Sequence, residues 1–166
     1  DGSVVSYVSD NSEWETLTTP AYCWPDNDPG YKGVYGALYN WHAVSTGKLC
    51  PSGWHIPADA EWTALENHLG GSSVAAEPMK EVGTTHWISP NSGSTNESGF
   101  TALPGGGRDI EISGFFSDPG YQGLWWSSTQ NTGTEAWSRL INYNGSRVFR
   151  NSSNKKNGYS VRCVKD

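Results

Sequence analysis

Pro57-Ala-Asp-Ala-Glu-Trp-Thr-Ala-Leu-Glu-Asn-His-Leu-Gly-Gly71 carries the marks of one amphipathic helix, and the rest of the chain is read outward from it. Trp62, Leu65 and Leu69 share a stripe, Asp59 and Glu61 sit where the positive end of a helix dipole favours acid, and Gly70-Gly71 supplies the stop. Upstream, Tyr35, Leu38, Tyr39, His42 and Val44 fall near a 3.6 period with Gly47 behind them, which predicts a short helix between Val34 and Thr46. Downstream, Val74 to Val82 predicts one further turn, interrupted at Pro78. After Gly83 the pattern changes to period two, with turn signals roughly every 8–12 residues. The strands this predicts are Phe100 to Leu103, Leu124 to Ser128, Ala136 to Asn142, Arg147 to Arg150 and Gly158 to Val164, with hairpin turns at Asn144-Gly145 and Asn157-Gly158. In the last strand Tyr159, Val161 and Cys163 point one way and Ser160, Arg162 and Val164 the other. The segment from Asp1 to Gly33 reads as irregular structure pinned by Trp14, Tyr22 and Trp24.

The 166 residues include 17 acidic and 11 basic side chains, a formal charge of −6. Only 17% are charged and the apolar runs are short, which argues against a membrane-spanning helix, a nucleic-acid surface and a coiled coil. Aliphatic residues are scarce, but 9 Trp and 8 Tyr, each able to bury roughly 150–250 Å², make a core possible. With 20 Gly and 9 Pro the profile is that of a turn-rich secreted domain, one unit over residues 1–166. Asp1 is not an initiator Met and no signal peptide opens the chain. The expectation is therefore a processed or excised part, from the carboxy-terminal side of a larger exported protein.

Cys23, Cys50 and Cys163 show no CxxC spacing, which argues against a zinc knuckle and a thioredoxin-type pair. An odd count leaves at most one internal bridge. Cys50 to Cys163 is the expected one, since it ties the middle of the domain to the last strand and closes a loop worth about 4–5 kcal/mol in the chain-entropy model. Cys23 is then a buried free thiol; three reduced cysteines are the alternative.

Catalytic signatures are sparse. His42, His55, His68 and His86 form neither HxH nor HExxH and read as structural or surface residues. Gly105-Gly-Gly107 lacks a following GK[ST] and a following helix, so it reads as a tight loop rather than a phosphate cradle. Glu97, Asp109 and Glu111 read as solvated turn carboxylates rather than a catalytic dyad. Asp26-Asn-Asp-Pro-Gly30 offers the oxygen-rich geometry that calcium wants, yet Asx-turn chemistry explains it without an ion. No enzyme and no cofactor are expected, with calcium at this loop the one candidate.

The stretch from Asn142 to Asn157 is more informative. Asn142, Tyr143, Asn144, Ser146, Arg147, Asn151, Ser152, Ser153 and Asn154 crowd two hairpins with adaptable hydrogen-bonding and contact-making side chains, a composition shared by antibody-like paratopes and glycan sites. Phe149 adds contact area. Trp125, Trp126 and Trp137 lie just upstream, placed either to flank such a patch or to belong to the core.

Several motifs are recognisable together: Tyr35-Gly-Ala-Leu-Tyr-Asn-Trp41, Leu49-Cys-Pro-Ser-Gly-Trp-His-Ile-Pro57, Gly83-Thr-Thr-His-Trp87, Thr95-Asn-Glu-Ser-Gly-Phe-Thr-Ala-Leu-Pro-Gly-Gly106, Trp126-Ser-Ser-Thr129 and Gly158-Tyr-Ser-Val-Arg-Cys-Val-Lys-Asp166. In this order, from about Trp14 onward, they resemble the Fibrobacter succinogenes major paralogous domain. That family looks like a branch of the C-type lectin fold close to the formylglycine-generating-enzyme-like group, found in exported and surface proteins of Bacteroidetes and relatives. The resemblance implies an α+β domain with two main helices, a small twisted antiparallel sheet and long irregular loops. The carboxy-terminal part is also similar to variable proteins diversified by retroelements, which display mutable positions on a lectin scaffold.

The chain departs from these patterns in places. The opening strand and Trp-Met-Ala-Glu-Asn-Leu-like segment of family members are cut off or replaced. Only Cys163 stands where the formylglycine-generating enzymes use a cysteine pair, which argues against oxidase activity. The Glu-Pro-Asn, Gln-Pro-Asp and Trp-Asn-Asp motifs of calcium-dependent lectins do not occur. Ala58 replaces a capping Ser, at a cost of about 1 kcal/mol unless Asp59 caps instead. The reading that results is a non-enzymatic adhesin or receptor-binding domain at the cell surface or outside the cell. Its contact residues are Trp125, Trp137, Asn142, Tyr143, Asn144, Ser146, Arg147, Phe149, Asn151, Ser152 and Asn154. The expected partners are a host or bacterial surface protein or a glycan, and other subunits of a surface assembly. A carbohydrate-binding module is the alternative.

Overall fold

Long-range backbone pairing, more than local propensity, decides where the elements of this chain fall. A computed structural model describes residues 5–112, 115–117 and 119–166. In chain order it contains β1 (Ser6–Tyr7), α1 (Asn11–Thr16), β2 (Ala21–Cys23), β3 (Leu38–Tyr39), α2 (Trp41–Val44), β4 (Trp54–His55), α3 (Asp59–His68), α4 (Ala76–Met79), β5 (Gly107–Asp109), β6 (Phe115–Ser117), β7 (Gln122–Gln130), β8 (Glu135–Asn142), β9 (Val148–Asn154) and β10 (Val164–Lys165). The class is α+β, with small sheets and few helices. β1 pairs parallel to β2, which pairs antiparallel to β3; β4 with β10, β5 with β6, and the meander β7-β8-β9 are antiparallel.

Helix α3 forms where its stripe predicts, burying Trp62 fully and Leu65 and Leu69 partly. Ala58 has no oxygen to cap with, and Asp59 does not replace it. The Ala58 N–H donates instead to Glu61 Oε2 at 2.8 Å, and the Asp59 N–H to Thr129 Oγ1 at 3.0 Å. This leaves the Asp59 carboxylate free for the sheet below.

The β7-β8-β9 sheet is covered on both faces, because residues paired across antiparallel strands share a side. On one face Trp125, Ile141 and Val148 pack with Trp62, Met79 and Trp87. On the other, Leu124, Trp126 and Ala136 pack with Trp41, Val44, Ile56 and Tyr159. A third cluster, built on Trp14, Cys23 and Leu38, closes the amino-terminal side.

Several sequence expectations are corrected. The helix over Val34 to Thr46 shrinks to α2, because Tyr39 exchanges backbone hydrogen bonds with Tyr159 at 2.8 and 3.0 Å and so stays extended. The two main helices are thus one, α3, with three short ones among the described residues. Phe100 to Leu103 is no strand: Thr101 takes φ 52° and only Ala102 bridges, to Lys80. The strand from Gly158 to Val164 breaks into single bridges from Gly158, Tyr159 and Ser160 to Arg108, Tyr39 and Trp125, with β10 beginning at Val164. The turn placed at Asn157-Gly158 falls two residues earlier, at Lys155-Lys156, closed by the Asn157 N–H donating to the Asn154 carbonyl at 2.9 Å, since Gly158 already pairs with Arg108. The amino-terminal stretch also holds more order than expected, with α1 capped by Asp10 Oδ1, which accepts from the Glu13 N–H at 2.8 Å.

Candidate functional site

The residues singled out near the carboxy terminus fall into three groups. Trp125 belongs to the core and is corrected as a contact residue: it is 5% exposed and sits against Trp62 and Phe100, with ring centroids 6.5 and 5.8 Å away. Trp126 is fully buried, stacked at 4.5 Å on Tyr159, and its indole N–H donates to the Tyr39 carbonyl at 2.8 Å. Trp137 is half-buried, and the guanidinium of Arg150 lies over its ring at 3.3 Å, occupying the face a sugar would stack on.

The second group is the β8-β9 connection. Asn142 ends β8 opposite Gln122. Tyr143 is half-buried: its ring packs edge-on to Tyr121 at 5.6 Å, and its backbone exchanges hydrogen bonds with the Tyr121 carbonyl and the Ser92 N–H. Behind the loop, fully buried Lys80 donates to the Ser92 and Gly145 carbonyls at 2.7 and 3.0 Å, and the Ser146 carbonyl accepts from Ala76. Burial holds the Lys80 pKa below its ordinary value, against the pull of Glu77. Asn144 and Arg147 stay exposed on this fixed loop, and Arg147 stands over the exposed Phe149 ring at 5.4 Å.

The third group faces a groove. Asn151, Ser152 and Asn154 of β9 line a cavity of ≈ 410 Å³ together with Asp109 of β5, Ser117 of β6, Asn157 and Tyr159. Ser138 and Ser153 bond to each other at 2.8 Å, and the Asn157 amide donates to the Tyr159 hydroxyl at 2.9 Å. Burial raises the Tyr159 pKa, with Ser153 and Asn157 opposing. Asp109 and Glu111 both border the groove, Asp109 Oδ1 accepting the Glu111 N–H at 2.9 Å, while Glu97 lines a different depression. Asp109, Ser117, Asn157 and Tyr159 were not among the expected site residues. They come from three segments, which the β5-β6 pairing, the Arg108 to Gly158 bridge and the bond from the Ile110 N–H to Asn157 Oδ1 bring together.

The Asp26 to Gly30 stretch is a pair of tight turns in which Asp28 Oδ1 accepts the Gly30 N–H at 2.8 Å and the Asn27 amide donates to the Ser9 carbonyl at 2.8 Å. Among the described residues, no three of His, Cys, Asp and Glu gather as metal ligands. Cys50 and Cys163 are disulfide-bonded with Cα atoms 5.8 Å apart, and Cys23 is free and buried. No described helix is long and apolar enough to cross a membrane.

No curated protein and no solved structure matches the chain. The model of the Fibrobacter succinogenes major domain, by contrast, matches residues 1–165, and this protein therefore belongs to the Fibrobacter succinogenes major domain family.

Proposed function

We propose that this chain is a non-enzymatic ligand-binding or adhesion domain of C-type lectin-like architecture, displayed on a bacterial surface and contacting its partner through β9 and the loop before it. The observation that carries the reading is the continuity of two accessible patches along one strand: Arg147 and Phe149 at the loop end, and the groove bordered by Asn151, Ser152 and Asn154 at the other. From Arg147 to Asn154 an extended chain spans about 24 Å. A standard interface of about 800 Å² per partner is a disc roughly 32 Å across, so the strand suits a protein partner better than a single sugar. Lys80 supports this by pinning the loop backbone, which lowers the entropy cost of presenting Asn144 and Arg147. The same exposed positions are those a retroelement-diversified variable protein would mutate.

The test is a screen of the folded domain against surface proteins and glycans, with and without calcium, followed by Arg147→Ala with Phe149→Ala. Tyr143 is left intact because its ring packs on the core. A loss of about 2 kcal/mol or more in binding with an unchanged melt is expected if these are central contacts. Unchanged affinity for a verified partner would remove the site. A carbohydrate-binding module is the second reading, favoured by the groove's volume and its amide and hydroxyl lining. It predicts glycan hits that Asn151→Ala and Asn154→Ala abolish and that the Arg147 and Phe149 changes spare.

A further inference from the structure

Away from β9, Pro57, Trp62, Leu65, Phe100, Cys163 and Val164 wall a small, mainly apolar cavity of ≈ 220 Å³. Its two charged rim residues, Glu61 and Arg162, are in different states. Both oxygens of Glu61 are committed, Oε1 to His55 Nε2 at 2.9 Å and Oε2 to the Ala58 N–H at 2.8 Å. Arg162 lays its guanidinium over the Phe100 ring at 4.5 Å and donates to the Phe100 carbonyl. That bond uses one of five N–H donors, and among the described residues Arg162 makes no ion pair. Arg162 is exposed, so its remaining donors stand open at the mouth of the cavity, where an incoming carboxylate can reach them. The Cys50–Cys163 bond fixes the wall immediately beside it.

We propose that this cavity is a second ligand site, taking a small apolar carboxylate: an aromatic or branched group with a carboxylate beside it, as in the terminal residue of a peptide or a free aryl acid. The volume lies below the roughly 300–1,000 Å³ of small-molecule pockets, so it seats one side chain rather than a cofactor or an oligosaccharide. The apolar part fills the Trp62, Leu65 and Phe100 walls, and the carboxylate takes the unused edge of the Arg162 fork, the planar geometry in which arginine binds carboxylates best. A neutral sugar gains nothing from that charge, and a cation is repelled by it.

N-acetylphenylalanine, its carboxamide and phenylacetate are titrated into isotope-labelled protein while the Arg162 side-chain and Trp62 indole signals are followed. The acid should bind with a dissociation constant on the order of 1 mM and the amide about 10-fold more weakly or worse. Phenylacetate binding as tightly points to free acids as the source; binding of the peptide acid alone points to a chain terminus. R162Q should erase the difference between acid and amide. V164E, which brings the chain's own carboxylate to the rim, should lower acid binding with the Phe100 stack intact. Equal binding of acid and amide by the native protein, or equal acid binding by the native protein and both variants, would overturn the assignment.

Discussion

Arg150 covers Trp137 and grips Asp59 at once: its guanidinium carbon lies 3.3 Å from the indole centroid while Nε and Nη2 bond the Asp59 carboxylate at 2.9 and 2.8 Å. One exposed side chain thereby joins the start of α3 to the edge of β9 and screens an aromatic ring from water. Arg150→Ala should cost about 1 kcal/mol, since the side chain is 42% exposed and the ion pair is screened. It should also leave Trp137 open to collisional quenching. An iodide-quenching profile identical to that of the native protein would contradict this arrangement.

Beneath that layer Arg139 is fully buried and bonds Asp59 at 2.8 Å as well as Glu66, itself 5% exposed. Arg139→Met removes the cation and strands the buried Glu66 carboxylate, while Asp59 keeps Arg150, so a loss of about 3 kcal/mol is expected, and adding Glu66→Leu should recover part of it. Burial raises the Asp59 pKa, but Arg150 and Arg139 outweigh it and hold the group below its ordinary value. The stability this contributes is present above the unfolded carboxylate pKa and is lost as pH falls through the lower folded one. Urea melts between pH 5 and 2 should show it, with Asp59→Asn flattening the slope.

The Cys50–Cys163 bond spans 113 residues, and its loss should cost about 4–5 kcal/mol in the chain-entropy model. Cys23 behaves differently. Burial pushes its thiol up to about 11 against the pull of Arg108, so it should resist alkylation at pH 8 until the fold opens. Peptide mapping after native alkylation reads both: one bridged pair and one unmodified Cys23. A labelled Cys23 in the native protein would refute its burial.

How far the sequence can be read depends on whether a signal is local. Helix α3 was legible because Trp62, Leu65 and Leu69 repeat at its own period, and β7 to β9 because their strands are long and joined in order. The segment from Val34 to Thr46 misled because the backbones of Tyr39 and Asn40 are bonded to Tyr159 and Ala21, outside the segment, rather than to its own turns. Trp125 and Trp126 show the same effect. A run of five buried residues in β7 means both faces are covered, so neighbouring indoles enter different cores and neither reaches the surface. The groove was least legible, since Asp109, Ser117 and Asn157 carry no common motif.

Asn40 explains where α2 begins. Fully buried, its Oδ1 accepts from the Ala43 N–H at 3.0 Å as helix cap and from the Ala21 N–H at 3.1 Å, while its amide donates to the Thr19 carbonyl at 2.8 Å. Asn40→Ala loses the cap and leaves buried donors unpaired, for about 2–3 kcal/mol. Asn40→Asp should retain the cap but forfeit the Thr19 bond, and so fall between. A chemical-denaturation series on the three proteins gives the order directly; an alanine variant as stable as the native protein would show that β2 and α2 are held by packing alone.

His55 links three ends of the fold. Its Nδ1 lies 2.6 Å from Asp166 Oδ1 and its Nε2 lies 2.9 Å from Glu61 Oε1, beside the β4-β10 pairing. Asp166, then Glu61, raise the His55 pKa above its ordinary 6.5. The folded value therefore exceeds the unfolded one, and the stabilisation is complete below about 6.5 and is lost as pH rises through the folded pKa. The local consequence falls just after β10, where the Asp166 N–H donates to the Gly53 carbonyl at 3.1 Å and should lose exchange protection across that rise, after correction for intrinsic rate. His55→Gln keeps hydrogen-bonding capacity without the titration and should make that protection independent of pH. Protection that stays flat in the native protein would mean that the two carboxylates do not hold the ring as described.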